Sequence, residues 1–390
     1  MPNSLMFSKP LAMKSTYKRL GDYIEVVEAR NRDLSVKLSQ GICNLKYFQD
    51  PRQVAENSVA DKIVRRGWFA YNRATTRNGD KISIAYRDGQ DCTVSASYLT
   101  FKIKNEELLN PYYLMMWFKR PEFDRYARFK SHGSAHEYFE WEEMCDVMLP
   151  VPPIEEQRKI VAEYQAIERR IESNRRLIAT LEATAQTIYR HMFVDNIDPE
   201  NLPAGWRMGT IQDAVETISA GTIPNYIECS NFRVLGQKCN YNHTFDLSKA
   251  RCHIPKSSAI QCLKGDVIIN STGEGTLGRV GIIKFNPVNL TFDSNMTLVR
   301  AKSKIWVDYI FLTLVNLESH FKNICQGSTN QTRLYCSMIR PTTCVIPAEN
   351  DVLKFHTLCN PILEYQSSLE AEINILLNSK TLLLSKLSKL

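Results

Sequence analysis

At 390 residues, with 44% hydrophobic and 23% charged side chains, the chain is too long for one core and too apolar for a disordered protein, so two or three domains are expected. A net charge of +7 and a pI near 8.7 permit a nucleic-acid partner without requiring one. Eleven cysteines, with no Cys-x-x-Cys pair, and no run near the ~20 apolar residues of a membrane span exclude a disulfide framework and a membrane protein; free thiols in a reducing cytoplasm fit.

Residues 1–16 read as an N-terminal tail. Leu5-Met6-Phe7 is cut short by Ser8, Lys9 and Pro10 before the apolar core of a secretory signal forms. Residues 17–152 read as a globular module, opened by Tyr17…Leu20-Gly21-Asp22, with a short strand at Lys81–Tyr86 and a helical run at Tyr112–Phe118. Pro152-Pro153 stops upstream residues from being helical, and Glu155-Glu156 suits the positive end of a helix, so a long helix is predicted over 153–194. Along it Ile160, Ile167, Asn174, Leu181 and Ile188 recur by sevens, with Tyr164, Ile171, Ile178, Ala185 and Met192 as companions. Residues 195–205 read as a linker.

A second module follows over 206–346. It opens with Trp206…Ile211-Gln212-Asp213 and carries a strand at Arg279–Lys284 and a helical run at Asp308–Leu317. A second long helix, 347–390, carries Phe355, Ile362, Leu369, Leu376, Leu383 and Leu390 by sevens, beside Cys359, Gln366, Ile373, Lys380 and Leu387. Either helix alone could be an amphipathic core helix. Two equivalent rods in one chain favour an intramolecular coiled-coil pair, each rod on the order of 60 Å long. Asn174 and Gln366 fall on the seams, where they either fix register or face solvent.

The order module–rod–module–rod is a tandem duplication. Gly67-Trp68-Phe69-Ala70-Tyr71-Asn72 returns as Gly265-Asp266-Val267-Ile268-Ile269-Asn270, Asn110-Pro111-Tyr112-Tyr113 returns around Val307-Asp308-Tyr309, Gly133-Ser134 returns as Gly327-Ser328, and Pro153 returns as Pro347. Short mixed strands and helices make each module α+β. One chain with two similar but diverged modules is built to read two related things.

No catalytic constellation is present. Gly273-Glu274-Gly275-Thr276-Leu277-Gly278 fits G-x-G-x-x-G, but a strand pattern follows where a dinucleotide or methyl-donor site needs a helix, so a tight glycine turn is expected. Asn110-Pro111-Tyr112-Tyr113 lacks the second proline of the amino-methyltransferase motif and reads as the start of a helix. Cys229, Cys239, Cys252 and Cys262 with His243 and His253 lack paired-ligand spacing, so buried thiols are expected and no metal.

What remains are polar and basic loops at matched positions, whose side chains can pair with base edges or phosphates. The candidate DNA-binding residues are Arg73, Thr76, Arg77, Ser131, His132, Ser134 and Tyr138 in the first module. In the second they are Ser271, Thr272, Arg279, Ser328, Asn330, Gln331 and Arg333.

Leu149-Pro150-Val151-Pro152-Pro153-Ile154-Glu155-Glu156-Gln157-Arg158-Lys159-Ile160-Val161, followed by a basic coiled-coil helix, closely resembles the specificity subunit of type I restriction–modification systems. Gly133-Ser134-Ala135…Tyr138-Phe139 and Gly205-Trp206 carry the same resemblance, which spans essentially the whole chain. The second half departs from it, with Pro347-Ala348-Glu349-Asn350-Asp351 in place of the fuller signature.

The resemblance implies two target-recognition domains, each reading one half of a bipartite, asymmetric site in double-stranded DNA. It implies that the two helices pack antiparallel and set the unspecified spacer. It further implies a subunit without catalysis or cofactor of its own, which docks two adenine-methyltransferase subunits and up to two motor-nuclease subunits. Those partners would supply S-adenosylmethionine, ATP and Mg2+ chemistry. The competing readings are a stand-alone duplicated DNA-binding regulator and a single-chain methyltransferase, and the missing cofactor loop argues against the latter.

Overall fold

The computed structural model describes residues 17–51, 58–74, 81–131, 137–195, 197–327 and 332–389. The N-terminal tail, Leu390 of the second seam, and candidates Thr76, Arg77, His132, Ser134, Ser328, Asn330 and Gln331 lie outside the described residues. The fold is α+β. Its two compact units comprise Met1–Glu172 with Asn374–Leu390, and Ser173–Ile373.

Each unit is built on an antiparallel four-stranded sheet with the same strand order. In the first unit Ile24–Val26, Tyr98–Ile103, Trp68–Asn72 and Ile84–Tyr86 lie side by side. In the second the order is Val215–Ala220, Met296–Ala301, Val267–Asn270 and Val280–Ile282. In sequence terms both run first, fourth, second, third. The duplication extends to single hydrogen bonds. Gly67 and Gly265 both adopt positive φ, 90° and 93°, a conformation open to glycine at little cost. Gly67 N–H donates to Arg87 O at 2.8 Å and Gly265 N–H to Ile283 O at 2.8 Å. At the other end of the same strand, Asn72 N–H reaches Ser83 O and Asn270 N–H reaches Arg279 O, each at 2.9 Å.

Two predicted strands are shorter than the pattern suggests. Lys81–Tyr86 forms strand only over Ile84–Tyr86, because the Ile82 amide donates to the Asp124 carboxylate at 3.2 Å. Arg279–Lys284 forms strand over Val280–Ile282, and the Val280 amide is taken by Glu318 at 2.7 Å.

The helical runs are Pro111–Phe118 and Val307–Asn316. Asn110 caps the first, its side chain accepting from the amides of Tyr112 and Tyr113 at 3.0 and 3.2 Å, with Pro111 preset for the first turn. A closing strand then returns the chain to where each module began. Met148–Pro150 pairs with Tyr17–Arg19, and Thr343–Ile346 pairs with Arg207–Thr210. Tyr113 Oη donates to Pro150 O at 3.1 Å, and Tyr309 Oη donates to Val345 O in the repeat.

The long helices follow directly, spanning Ile154–Phe193 and Glu349–Lys386. In the first unit Val161 and Tyr164 share a core with Leu387, and Glu168 sits 2.7 Å from Lys380. In the second unit Gln366 Nε2 donates to Ile178 O at 3.2 Å, and the Phe355 ring lies 5.1 Å from that of Phe193. Later residues of one helix therefore meet earlier residues of the other, an antiparallel pair in each unit. Among the described residues no helix is long and apolar enough to cross a membrane.

Burial along the seams is uneven. Ile160, Ile167, Leu181 and Ile188 are half-buried, while Asn174 and the companions Tyr164, Ile171 and Ala185 are buried. In the second helix Leu369 is buried, Ile362, Leu376 and Leu383 are half-buried, and Phe355, Cys359, Gln366 and Leu387 are buried. Each helix faces a module core as well as its partner helix, so the apolar stripe is wider than a two-position seam and its centre shifts toward the module. Asn174 and Gln366 are both buried and not solvent-facing.

The Pro-Pro-Ile-Glu-Glu-Gln signature has a physical job. Gln157 is fully buried; its Oε1 accepts from the Asn110 amide at 2.9 Å, and its Nε2 donates to Leu108 O at 3.0 Å and Pro152 O at 2.8 Å. One side chain thus ties the start of the long helix to the start of the module's own helix. Truncation removes one buried and two part-buried hydrogen bonds to the backbone, so Gln157→Ala is expected to destabilise the first unit by roughly 2–4 kcal/mol. Chemical denaturation checks this, and a loss below 1 kcal/mol would mean that water replaces the clamp. The second unit achieves the seat differently: Trp206 Nε1 donates to Asp351 at 2.9 Å and the indole packs 5.5 Å from Phe193.

Candidate nucleic-acid interface

In each unit the second strand of the repeat, Trp68–Asn72 or Val267–Asn270, delivers the candidate residues at its C-terminal end. In the first unit Asn72 Oδ1 accepts from the Ala74 amide at 3.1 Å and turns the chain outward. Arg73 O then accepts from the Phe139 amide at 2.9 Å, and Ala74 bridges to Tyr138. Two candidate stretches about 65 positions apart are therefore joined edge to edge. The Arg73 guanidinium meets Glu140 at 3.0 Å and lies 5.8 Å from the Tyr138 ring, with both side chains still open to solvent. Ser131 is buried, its hydroxyl donating to Ala127 O at 2.6 Å at the end of helix Pro121–Lys130.

The second unit repeats this arrangement. Ser271 O accepts from the Leu334 amide at 2.9 Å, which joins the stretch after the strand to the stretch around Arg333. Arg333 donates to Ser294 O at 2.6 Å and its guanidinium lies 5.7 Å from the Tyr335 ring, an Arg–Tyr pair like Arg73–Tyr138. Ser271 is buried against Thr297, hydroxyl to hydroxyl at 2.7 Å. Arg279 is committed to the fold, donating to Asn240 O at 2.9 Å and Gly275 O at 3.3 Å. Thr272 stays at the surface, its hydroxyl between Gln237 and Asn295 at 3.0 and 3.1 Å.

These residues surround an open concavity of about 840 Å3, lined by Thr272, Gly273, Glu274, Gly275, Leu277, Asn295, Lys322, Thr332, Arg333 and Tyr335. Gly273, Gly275 and Gly278 have φ of 103°, 72° and 78°, and a strand follows, so the glycine pattern is a tight turn. The lining mixes cations, amides and hydroxyls, the groups that contact phosphates and base edges. All eleven cysteines are free thiols. Among the described residues no group of three or more His, Cys, Asp or Glu is placed to hold a metal.

Residues 56–183 match the family described as the type I restriction modification DNA specificity domain. The chain carries a type I DNA specificity domain. The matched stretch runs from the first-unit sheet through the Gln157 clamp and well into the first long helix. Among curated proteins, the type I restriction enzyme MjaIX specificity subunit of Methanocaldococcus jannaschii is 25% identical over 307 residues, covering 70% of this chain and 67% of that protein. Among solved structures, the type-I restriction-modification system S subunit from M. genitalium aligns over 95% of both chains with a TM-score of 0.60 at 12% identity, which shows a shared fold.

Several groups of these two surfaces escaped the sequence reading. Glu140, Gln237, Asn295 and Lys322 come from elements remote in the chain from the loops they meet, and no local pattern marks them.

Proposed function

We propose that the chain is the DNA-reading subunit of a type I restriction–modification assembly. It recognises a bipartite, asymmetric site in double-stranded DNA, one half-site per unit, with the spacer set by the length of the paired helices. It performs no chemistry of its own in this reading. It directs two adenine-methyltransferase subunits and up to two motor-nuclease subunits, which use S-adenosylmethionine, ATP and Mg2+, in the cytoplasm.

The observation that carries the reading is the repeated sheet with its matched surface. The same strand order and the same backbone hydrogen bonds join the stretch after the second strand to a later stretch in both units, while the side chains presented there differ: Arg73 stacks across the join on Tyr138 in one, and Arg333 and Tyr335 pair within the later stretch in the other. A shared frame with divergent loops suits two readers of different sequences, and the specificity-domain match supplies the class of partner.

Exchanging residues 17–152 for the corresponding module of another such subunit is expected to change one half of the methylated-adenine target and leave the other intact. Mapping methylated adenines across the genome reads the result. A change in both halves together would contradict modular reading. Purification of the chain with no methyltransferase subunit would favour the stand-alone regulator.

A further inference from the structure

The concavity of the second unit contains one group that does not belong on a phosphate-binding surface. Glu274 is exposed at the tip of the turn Gly273–Gly278, between two glycines of positive φ. It makes no ion pair or hydrogen bond with any described residue, although Lys322 and Arg333 line the same concavity. Facing a polyanion, an unpaired carboxylate is repelled by phosphate. It becomes favourable only where a DNA group donates to it, and in the major groove the groups that do so are the exocyclic amino groups of bases.

The loop is also set before any ligand arrives. Gln237 lies beneath it, donating to Thr272 Oγ1 at 3.0 Å and accepting from Thr276 Oγ1 at 3.1 Å. A Cβ at Gly273 would stand 1.9 Å from Gln237 Oε1, so the glycine is what lets Gln237 seat. The amides of Thr276 and Leu277 return to Gly273 O at 3.0 and 2.9 Å, and the Gly278 amide to Asn270 O at 2.9 Å. Behind it, Gly278 packs against helix Glu318–Ile324, with Phe321 Cβ 3.3 Å from the added-Cβ position. The backbone that carries the carboxylate therefore needs little ordering when it engages a base, and the entropy lost is that of the Glu274 side chain itself.

We infer that Glu274 is a base-reading residue of the second unit, accepting the exocyclic amino group of a cytosine or an adenine, and that Gln237 is its positioning residue. This rests on the DNA-reading function proposed above. Lys322 and Arg333 serve the phosphates around it and carry no sequence information.

The test uses the full chain in its native complex, selecting from duplexes randomised over the target. The unaltered chain must first select a bipartite site; failure at that step rejects the proposed function itself. Glu274→Ala is expected to make one base pair of the second-unit half-site degenerate, lowering the preference there roughly tenfold. Affinity for unrelated DNA should stay level or rise, because a negative charge has gone. Gln237→Ala should blur the same base pair and leave the first-unit half-site sharp. If Glu274→Ala keeps every position of the target, Glu274 reads no base; if Gln237→Ala weakens all sequences equally, Gln237 does not position it.

Discussion

Asp124→Asn is expected to destabilise the first unit by about 3–5 kcal/mol. Lys46 sits in a turn at φ 67°, and its ammonium is buried on Asp124 at 2.6 Å, also donating to Phe118 O at the end of helix Pro111–Phe118. Burial pulls the Lys46 pKa down and the Asp124 charge resists that fall. Removing the carboxylate charge leaves a cation in a site 4% exposed, while the asparagine oxygen can still accept from the Ile82 amide. The cost should shrink as pH rises, because the amine can then shed its proton. Urea unfolding measures the loss, and the pair Lys46→Met with Asp124→Leu should recover part of it, since no charge is then left buried although Phe118 O and the Ile82 amide each lose a partner. A single substitution costing under 1 kcal/mol would show that water reaches Lys46.

The second large effect is a pH dependence of the second unit. His243 stands between Glu182 of the first long helix and Glu318, with its Nε2 3.2 Å from the latter. Burial opposes its charge, but the hydrogen bonds and charges of the two carboxylates outweigh that and raise its pKa to about 9. A histidine raised above its ordinary 6.5 contributes stability that is complete below pH 6.5 and is lost as pH climbs through about 9. The swing is on the order of 3 kcal/mol. His243→Asn should therefore cost much more at pH 6 than at pH 9.5, compared by urea unfolding of the full chain. An equal cost at both values would mean that the histidine is neutral in the folded protein. The tie also bears on the helix seat, since neighbouring Thr244 donates to Glu370 at 2.9 Å, Glu370 meets Lys284 at 2.5 Å, and Lys284 reaches Gln366 at 3.3 Å.

Much of this was legible in the residues. The two prolines before Ile154 and the heptads beyond mark the first long helix, because proline and periodicity act through nearest neighbours. The returning Gly67 and Gly265 mark equivalent strand starts, because both need positive φ. Other features could not be read this way. Pro361 lies inside the second long helix, a place where local rules argue for a break, and the packing of Phe355, Cys359 and Leu363 into the core overrides it. Ser271 and Arg279 look like surface loop residues by type, yet one is buried on Thr297 and the other braces the glycine turn.

By itself, the sequence determined that this chain is a duplication of α+β module and long helix, with the residue types of a DNA reader. Those properties depend on periodicity, punctuation and composition, all local. Tertiary structure alone decided which polar groups remain free to meet a ligand. Arg73 was brought to Tyr138 and Glu140, and Thr272 to Gln237 and Asn295, by strand pairing between segments far apart in the chain. Burial and hydrogen bonding then withdrew Ser131 and Ser271 and left Glu274 exposed, and no neighbour in sequence encodes that choice.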